Sequence, residues 1–240
     1  TVAHTYTTAG NYTVKVTVTD TSGLSSIATK AVSVTQAPAY VGQVGTATSN
    51  KNQNSATITT TRAVRAGDLI VLAAQTTAGT ATVTAIDDAG NTYSTLTTRT
   101  DAGGARQTVL YAVAAKSLAL GAHVTVKYSV ASASLVTADE LTGVTAADRA
   151  VGATGSTATF SAGPTGTLAD PHEIAISVVS LTGGKKAPTW ATGWTAAGTG
   201  INTGGNYLAR AYLTTTTTTQ ITATGSASGT WTANTTTFKP

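Results

Sequence analysis

Trp190-Ala191-Thr192-Gly193-Trp194 holds two indoles four residues apart, and Tyr207 and Tyr212 follow on the next apolar segment. On an extended strand, positions i and i+4 share a face. Aromatic rings lined up in solvent suit the apolar faces of a sugar. Trp190, Trp194 and Tyr207 are therefore the candidate carbohydrate-binding residues. The competing reading, which is preferred, places one or both indoles in a sandwich core near Trp231, because Trp is mostly buried. A second constellation, Asp87-Asp88-Ala89-Gly90-Asn91, puts three oxygen-bearing side chains in one tight turn, as Ca2+ requires. Asp87, Asp88 and Asn91 are its candidate metal ligands, and Ca2+ is the one cofactor the sequence suggests. A hairpin turn closed by Asx hydrogen bonds explains the same residues and is preferred.

Catalytic chemistry finds little material. The chain has no Cys. Gly225-Ser226-Ala227-Ser228-Gly229 puts Ala where a nucleophile elbow needs Ser. His4, His123 and His172 are far apart in sequence. Sugar hydrolysis needs two carboxylates about 5–9.5 Å apart across one cleft. Asp68, Asp87, Asp88, Asp101 and Asp170 fall in predicted turns, where Asp usually bonds backbone. Asp139 and Glu140 are neighbours in a strand and so point to opposite faces. The expectation is a protein that is not an enzyme and has no catalytic residues.

Of the 240 residues only 10% are charged, against about a quarter in an ordinary globular chain. Thr, Ala, Gly and Ser take their place. Thr is β-branched and carries a hydroxyl, so a Thr-rich outer face can form a strand and stay wet. The net charge of +4 comes from scattered Lys and Arg with no run longer than Lys185-Lys186. A nucleic-acid surface needs a clustered basic stripe, so no nucleic-acid partner is expected. No segment reaches the roughly 20 apolar residues of a bilayer span, and no membrane partner is expected. The chain lacks an initiating Met and is expected to be part of something longer.

Strand signals recur along the whole length. Strands are predicted at 40–48, 56–61, 69–75, 81–86, 92–99, 107–114, 123–130, 135–141, 173–181, 190–196, 207–213, 220–224 and 230–238. Gly and Asx turns such as Asp101-Ala102-Gly103-Gly104, Thr182-Gly183-Gly184-Lys185 and Thr203-Gly204-Gly205-Asn206 separate them. No stretch sustains a helical period. Many short strands with frequent turns predict an all-β sandwich or jelly roll.

Two stretches resemble known families. The opening has His4-Thr5-Tyr6, then Gly10-Asn11-Tyr12, then Val14, Val16 and Val18 alternating with Thr and Lys up to Asp20. With the later strand Lys30–Thr35, it resembles the C-terminal half of a PKD-type (polycystic-kidney-disease) β-sandwich. That family's modules are extracellular or virion-surface spacers and adhesion units. Further on come Arg65-Ala66-Gly67-Asp68-Leu69, Asp87–Tyr93, Val109–Ala112, Glu140–Val144 and Thr237-Phe238-Lys239-Pro240. In this order they resemble a jelly-roll domain carried by secreted actinobacterial proteins and by minor tail proteins of phages of actinobacteria. The implied organisation is a partial PKD-like, Ig-like sandwich over 1–36 and a large jelly-roll-like sandwich over 37–240.

The implied function is a non-catalytic structural or attachment protein of a virion surface. It would be a phage minor tail or capsid-decorating protein that docks on other virion subunits, forms a homo-oligomer or part of a larger assembly, and contacts host cell-wall glycan. The alternatives are a carbohydrate-binding module of a secreted bacterial hydrolase and a bacterial cell-surface adhesin. All three place the protein on a virion surface or outside the cell.

Overall fold

A computed structural model describes residues 3–6, 9–184 and 186–240. Thr1, Val2, Thr7 and Thr8 of the opening pattern and Lys185 of a predicted turn lie outside the described residues. The protein is all-β. Regular structure among the described residues is strand, and the sheets are antiparallel. The chain divides into two compact units, Thr1–Ala37 and Pro38–Pro240.

In the first unit, β1 (Gly10–Thr19) pairs with β2 (Ser25–Val34) in unbroken register from Gly10↔Val34 to Thr19↔Ser25. Asp20 builds the turn between them. Its Oδ1 accepts from the backbone N–H of Ser22 and Leu24, and Gly23 supplies the positive φ of 87°. These bonds hold the Asp20 carboxyl below its usual pKa, the Ser22 hydroxyl contributing most. Tyr6 lies tilted against Tyr12, with ring centroids 4.2 Å apart, and meets His4 edge-on. Residues 3–6 are not in a strand. Val16, Val18 and Ile27 are exposed.

The second unit repeats one topology twice. In the first half the strands are β3 (Ala39–Thr59), β4 (Leu69–Thr76), β5 (Val83–Asp87), β6 (Ser94–Thr100), β7 (Arg106–Val113) and β8 (His123–Thr142). Their sheet runs β3-β8-β4-β7-β6, with β5 on β8. β3 and β8, of 21 and 20 residues, each serve two layers. Their register breaks around Ser49, Gln53 and Ser55. Beyond the break, Ile58, Val124 and Val126 fold back and pack with Val83 onto Ile70, Leu72, Val136 and Ala138. The layers β3-β8-β4-β7 and β3-β8-β5 give the strand order of a jelly roll.

The second half contains β9 (Ala146–Gly155), β10 (Thr159–Ala162), β11 (Ile174–Thr182), β12 (Thr189–Trp190), β13 (Thr195–Ala196), β14 (Ile201–Thr203), β15 (Asn206–Thr214), β16 (Ala223–Ser226) and β17 (Thr230–Lys239). The sheets are β9-β17-β11-β15-β13, with β14 on β15, and β10-β16-β12. β9 and β10 together correspond to β3, and β16 and β17 to β8. β11 answers to β4, β12 to β5, and β15 to β7. Even the early bulge repeats, between Tyr40 and Gly42 in β3 and opposite Thr237 in the β9–β17 pair.

The expectation of one jelly-roll-like sandwich is thus refined to two jelly rolls packed back to back. Leu69, Val71, Val109, Leu135 and Leu141 of the first roll meet Ile174, Ile176, Val178, Leu208 and Phe238 of the second. β6 lies against β9, and β14 against β3, as a pseudo-twofold axis between β4 and β11 requires. Both central strands are therefore covered on both faces, and all eight residues of β4 are buried. Such strands read as continuous apolar runs rather than alternations.

Thr plays two parts here. In β1 the Thr face is exposed, as the composition suggested. In β17, however, Thr232, Thr235, Thr236 and Thr237 are buried. There the methyl packs, and some hydroxyls find partners. Thr235 Oγ1 lies 3.2 Å from both Ala162 O and Ser177 Oγ, and Thr237 Oγ1 accepts from Arg149 N–H.

Candidate functional site

Trp190 and Trp194 do not share a strand. Trp190 ends β12, a turn follows in which Trp194 N–H donates to Ala191 O at 3.3 Å, and Gly193 takes φ +97°. The turn replaces the expected single strand over 190–196, so the i, i+4 argument for a flat face fails. The indoles meet all the same, with centroids 6.0 Å apart and planes inclined at 32°. Trp190 also meets Phe160 edge-on at 5.1 Å. Tyr207, on β15, lies so close over Gly200 that a Cβ there would come 2.7 Å from its ring. All three aromatics are half-buried against Phe160, Leu181 and Trp231 of the second roll. Each has one side in the core and the remainder reaching solvent.

Trp194 opens onto a concavity. It lines a groove of about 380 Å³ together with Leu213, Ile221, Thr215, Thr217 and Thr219. The run Thr214–Thr219 is a strand end followed by loop. Thr215 Oγ1 anchors it by donating to Pro171 O at 2.7 Å, and Thr217 donates to Thr219 Oγ1 at 3.1 Å. An apolar ring and several Thr side chains in one groove are suited to a sugar, which also has an apolar face and a hydroxyl rim.

The Asp87 turn is closed by its own hydrogen bonds. Asp87 Oδ1 accepts from the N–H of Ala89 and Asn91, at 3.1 and 2.9 Å. Its Oδ2 accepts from Asn91 Nδ2 and from the Tyr93 hydroxyl, at 3.0 and 3.1 Å. Asn91 Oδ1 accepts from Lys116 N–H. Asp88 serves different partners, taking the N–H and ring of His123. The three side chains that suggested Ca2+ therefore do not converge, and Asp87 and Asn91 spend their oxygens on N–H and O–H donors. Among the described residues no group of three or more His, Cys, Asp or Glu could hold a metal ion. Asp87→Ala is expected to cost about 2–3 kcal/mol, because it strands buried donors. Calcium or a chelator is expected to leave the thermal midpoint of the parent unchanged, as read by differential scanning calorimetry.

The carboxylates are used for structure. Asp139 faces the partner roll and Glu140 the interior of its own, as neighbours in a strand must. Glu140 Oε2 lies 3.1 Å from Arg62 Nε, and burial followed by a hydrogen bond with Asp68 raises its pKa against the pull of Arg62. In the second roll Glu173 takes the position of Asp68. Burial raises its pKa, with the Asp148 charge adding to the effect and hydrogen bonds from Thr237 and Asp170 opposing it. A carboxyl whose folded pKa is raised binds its proton more tightly folded than unfolded. Its contribution is full below the ordinary value of 4.5 and is lost as pH rises through the folded pKa. Glu140→Gln and Glu173→Gln are expected to flatten that decline. Urea midpoints measured from pH 4 to pH 8 check this, and an unchanged slope in the double variant would refute it.

A second concavity lies between the rolls and has no motif. Asn50, Asn52, Gln75 and Asn206 line it from three distant segments. In sequence its Thr203, Gly204 and Asn206 read only as part of a Gly turn.

The sequence model of the PKD domain matches residues 1–35. No curated protein and no solved structure matches the chain. PKD domains are typical of extracellular and surface proteins, where they act as adhesion-type modules. Among the described residues no helix is long and apolar enough to cross a membrane.

Proposed function

We propose that this protein is a non-catalytic structural and attachment protein of a virion surface, a phage minor tail or capsid-decorating protein that contacts host cell-wall glycan. The observation that carries the reading is the pairing of a PKD domain with a double jelly roll whose open groove is lined by Trp194 together with Thr215, Thr217 and Thr219. Few charges and broad strand surfaces suit docking on other virion subunits. Homo-oligomers of closed symmetry are the usual form of such assemblies.

The test has two arms. Antibodies raised against the chain should decorate phage particles at tail or capsid in electron micrographs. The labelled chain should bind purified actinobacterial cell walls, and Trp194→Ala should weaken that binding about tenfold, the weight of one stacked ring. Particles left unlabelled would exclude the virion role. Wall binding unaffected by Trp194→Ala would exclude the groove.

The same groove favours a second reading, a carbohydrate-binding module of a secreted hydrolase. Binding to soluble polysaccharide without any particle labelling would select it.

A further inference from the structure

The pseudo-twofold axis gives every feature of one roll a counterpart in the other, and one pair of counterparts differs sharply. At the end of β11, the five-residue turn Asp101–Ala105 between β6 and β7 closes onto the second roll. Thr182 Oγ1 donates to Asp101 Oδ2 at 2.7 Å, and Gly103 sits so close that a Cβ there would be 3.1 Å from Thr182. At the equivalent end of β4, the turn between β14 and β15 is only Gly204-Gly205. It is too short to close, and a cleft of about 300 Å³ remains. That volume lies at the small end of the range for small-molecule sites, about 300–1,000 Å³.

The lining of this cleft is neutral. Asn50, Asn52 and Asn206 contribute amides, Thr77 and Thr203 hydroxyls, and Leu135 an apolar patch. A further lining residue, Gln75, is 1% exposed. Gln75 Nε2 donates to Leu181 O at 3.2 Å and to Thr182 Oγ1 at 3.3 Å. A carbonyl can only accept, so the amide must present its NH2 to Leu181 and its Oε1 elsewhere. That Oε1 has no hydrogen-bond partner. A buried polar atom left unpaired costs about 1–3 kcal/mol, so one beside an open cleft calls for an explanation.

We infer that this cleft is a binding site for a neutral saccharide, separate from the Trp194 groove. Amides and hydroxyls both donate and accept, as adjacent hydroxyls of a sugar ring do. No Lys, Arg, His, Asp or Glu lines the cleft, so an ionic ligand would give up its hydration without gaining a counter-charge. Asn206 and Thr203 come from the second roll, and Asn50, Gln75 and Ser134 from the first. The site exists only where the two rolls are joined.

The experiment titrates the full chain with glucose, galactose, rhamnose and N-acetylglucosamine, followed by side-chain amide signals in 1H–15N spectra. At least one sugar is expected to shift Asn50 and Asn206 saturably. Asn206→Ala and Thr203→Val, both at half-buried positions and with unchanged thermal midpoints, should each weaken that sugar about tenfold, the worth of one good hydrogen bond. Trp194→Ala should leave it unaffected. Absence of saturable shifts with all four sugars would overturn the inference, as would shifts that survive both cleft variants. Loss of binding in Trp194→Ala alone would also overturn it and assign the sugar to the groove.

Discussion

Arg210→Ala is expected to destabilise the Pro38–Pro240 unit by about 3–5 kcal/mol, the cost of breaking a buried ion pair from one side. Arg210 and Asp139 are 2% and 1% exposed, and they join the second roll to the first. Arg210 Nε donates to Asp139 Oδ2 at 2.7 Å and Nη2 to Oδ1 at 2.9 Å. Nη1 donates to Thr199 O, and the Tyr40 hydroxyl donates to Asp139 Oδ1 at 2.9 Å. Tyr40 in turn stacks on Tyr212, with centroids 4.7 Å apart. Burial and the Asp139 charge push the Tyr40 phenol far above its ordinary pKa, so it remains a donor at any working pH. Truncating Arg210 leaves the carboxylate without its bidentate partner in a dry layer. Replacing both residues by apolar side chains of like volume should recover most of the loss, since desolvating the pair costs nearly what it returns. Tyr40→Phe should cost only about 1 kcal/mol. Urea denaturation measures all three. An Arg210→Ala cost below about 1 kcal/mol, the level of a surface pair, would show that the pair does not lock the rolls together.

Phe238→Ala should cost about 3–5 kcal/mol, the usual range for a large aromatic removed from a core. Phe238 is fully buried in the layer between the rolls, among Leu69, Leu141 and Ile174, with Tyr111 6.2 Å away. Its pseudo-symmetric counterpart is Leu141, so Leu141→Ala should act in the same layer at about 2–5 kcal/mol. The two variants share neighbours, and their combined cost should depart from the sum of the single costs. Additive effects within about 0.3 kcal/mol, the behaviour of distant sites, would mean that the two rolls respond independently.

Much of this architecture could be read from residue types. The apolar runs Leu69–Ala74 and Ile174–Val179 announced central strands, and the Gly and Asx turns fell where they were expected. Asp139 and Glu140 were placed on opposite faces by strand period alone. Three strands were missed. β9 (Ala146–Gly155) has too many Ala, Gly and Thr residues to show a face. β10 and β14 are four and three residues long, too short for any period. The duplication was also hidden. Not one residue of Leu69–Thr76 equals its counterpart in Ile174–Leu181, because each strand needs side chains that can be buried on both faces, not particular ones.

The candidate sites divide in the same way. Local chemistry identified the Asp87 turn correctly as a turn, since Asx bonds form between near neighbours. It could not show that Trp190 and Trp194 are brought together by a bend rather than a shared strand. Nor could it assemble Asn50, Gln75, Ser134 and Asn206.

The sequence by itself determined that this protein is built of strands, where they turn, and that its opening is a PKD-type hairpin. Those properties follow from side-chain shape and backbone freedom over a few residues. Only the tertiary structure decided that two jelly rolls stand back to back, which Thr hydroxyls are buried, and where a cleft stays open. These depend on which distant faces exclude water together, and that is settled by packing across the whole unit.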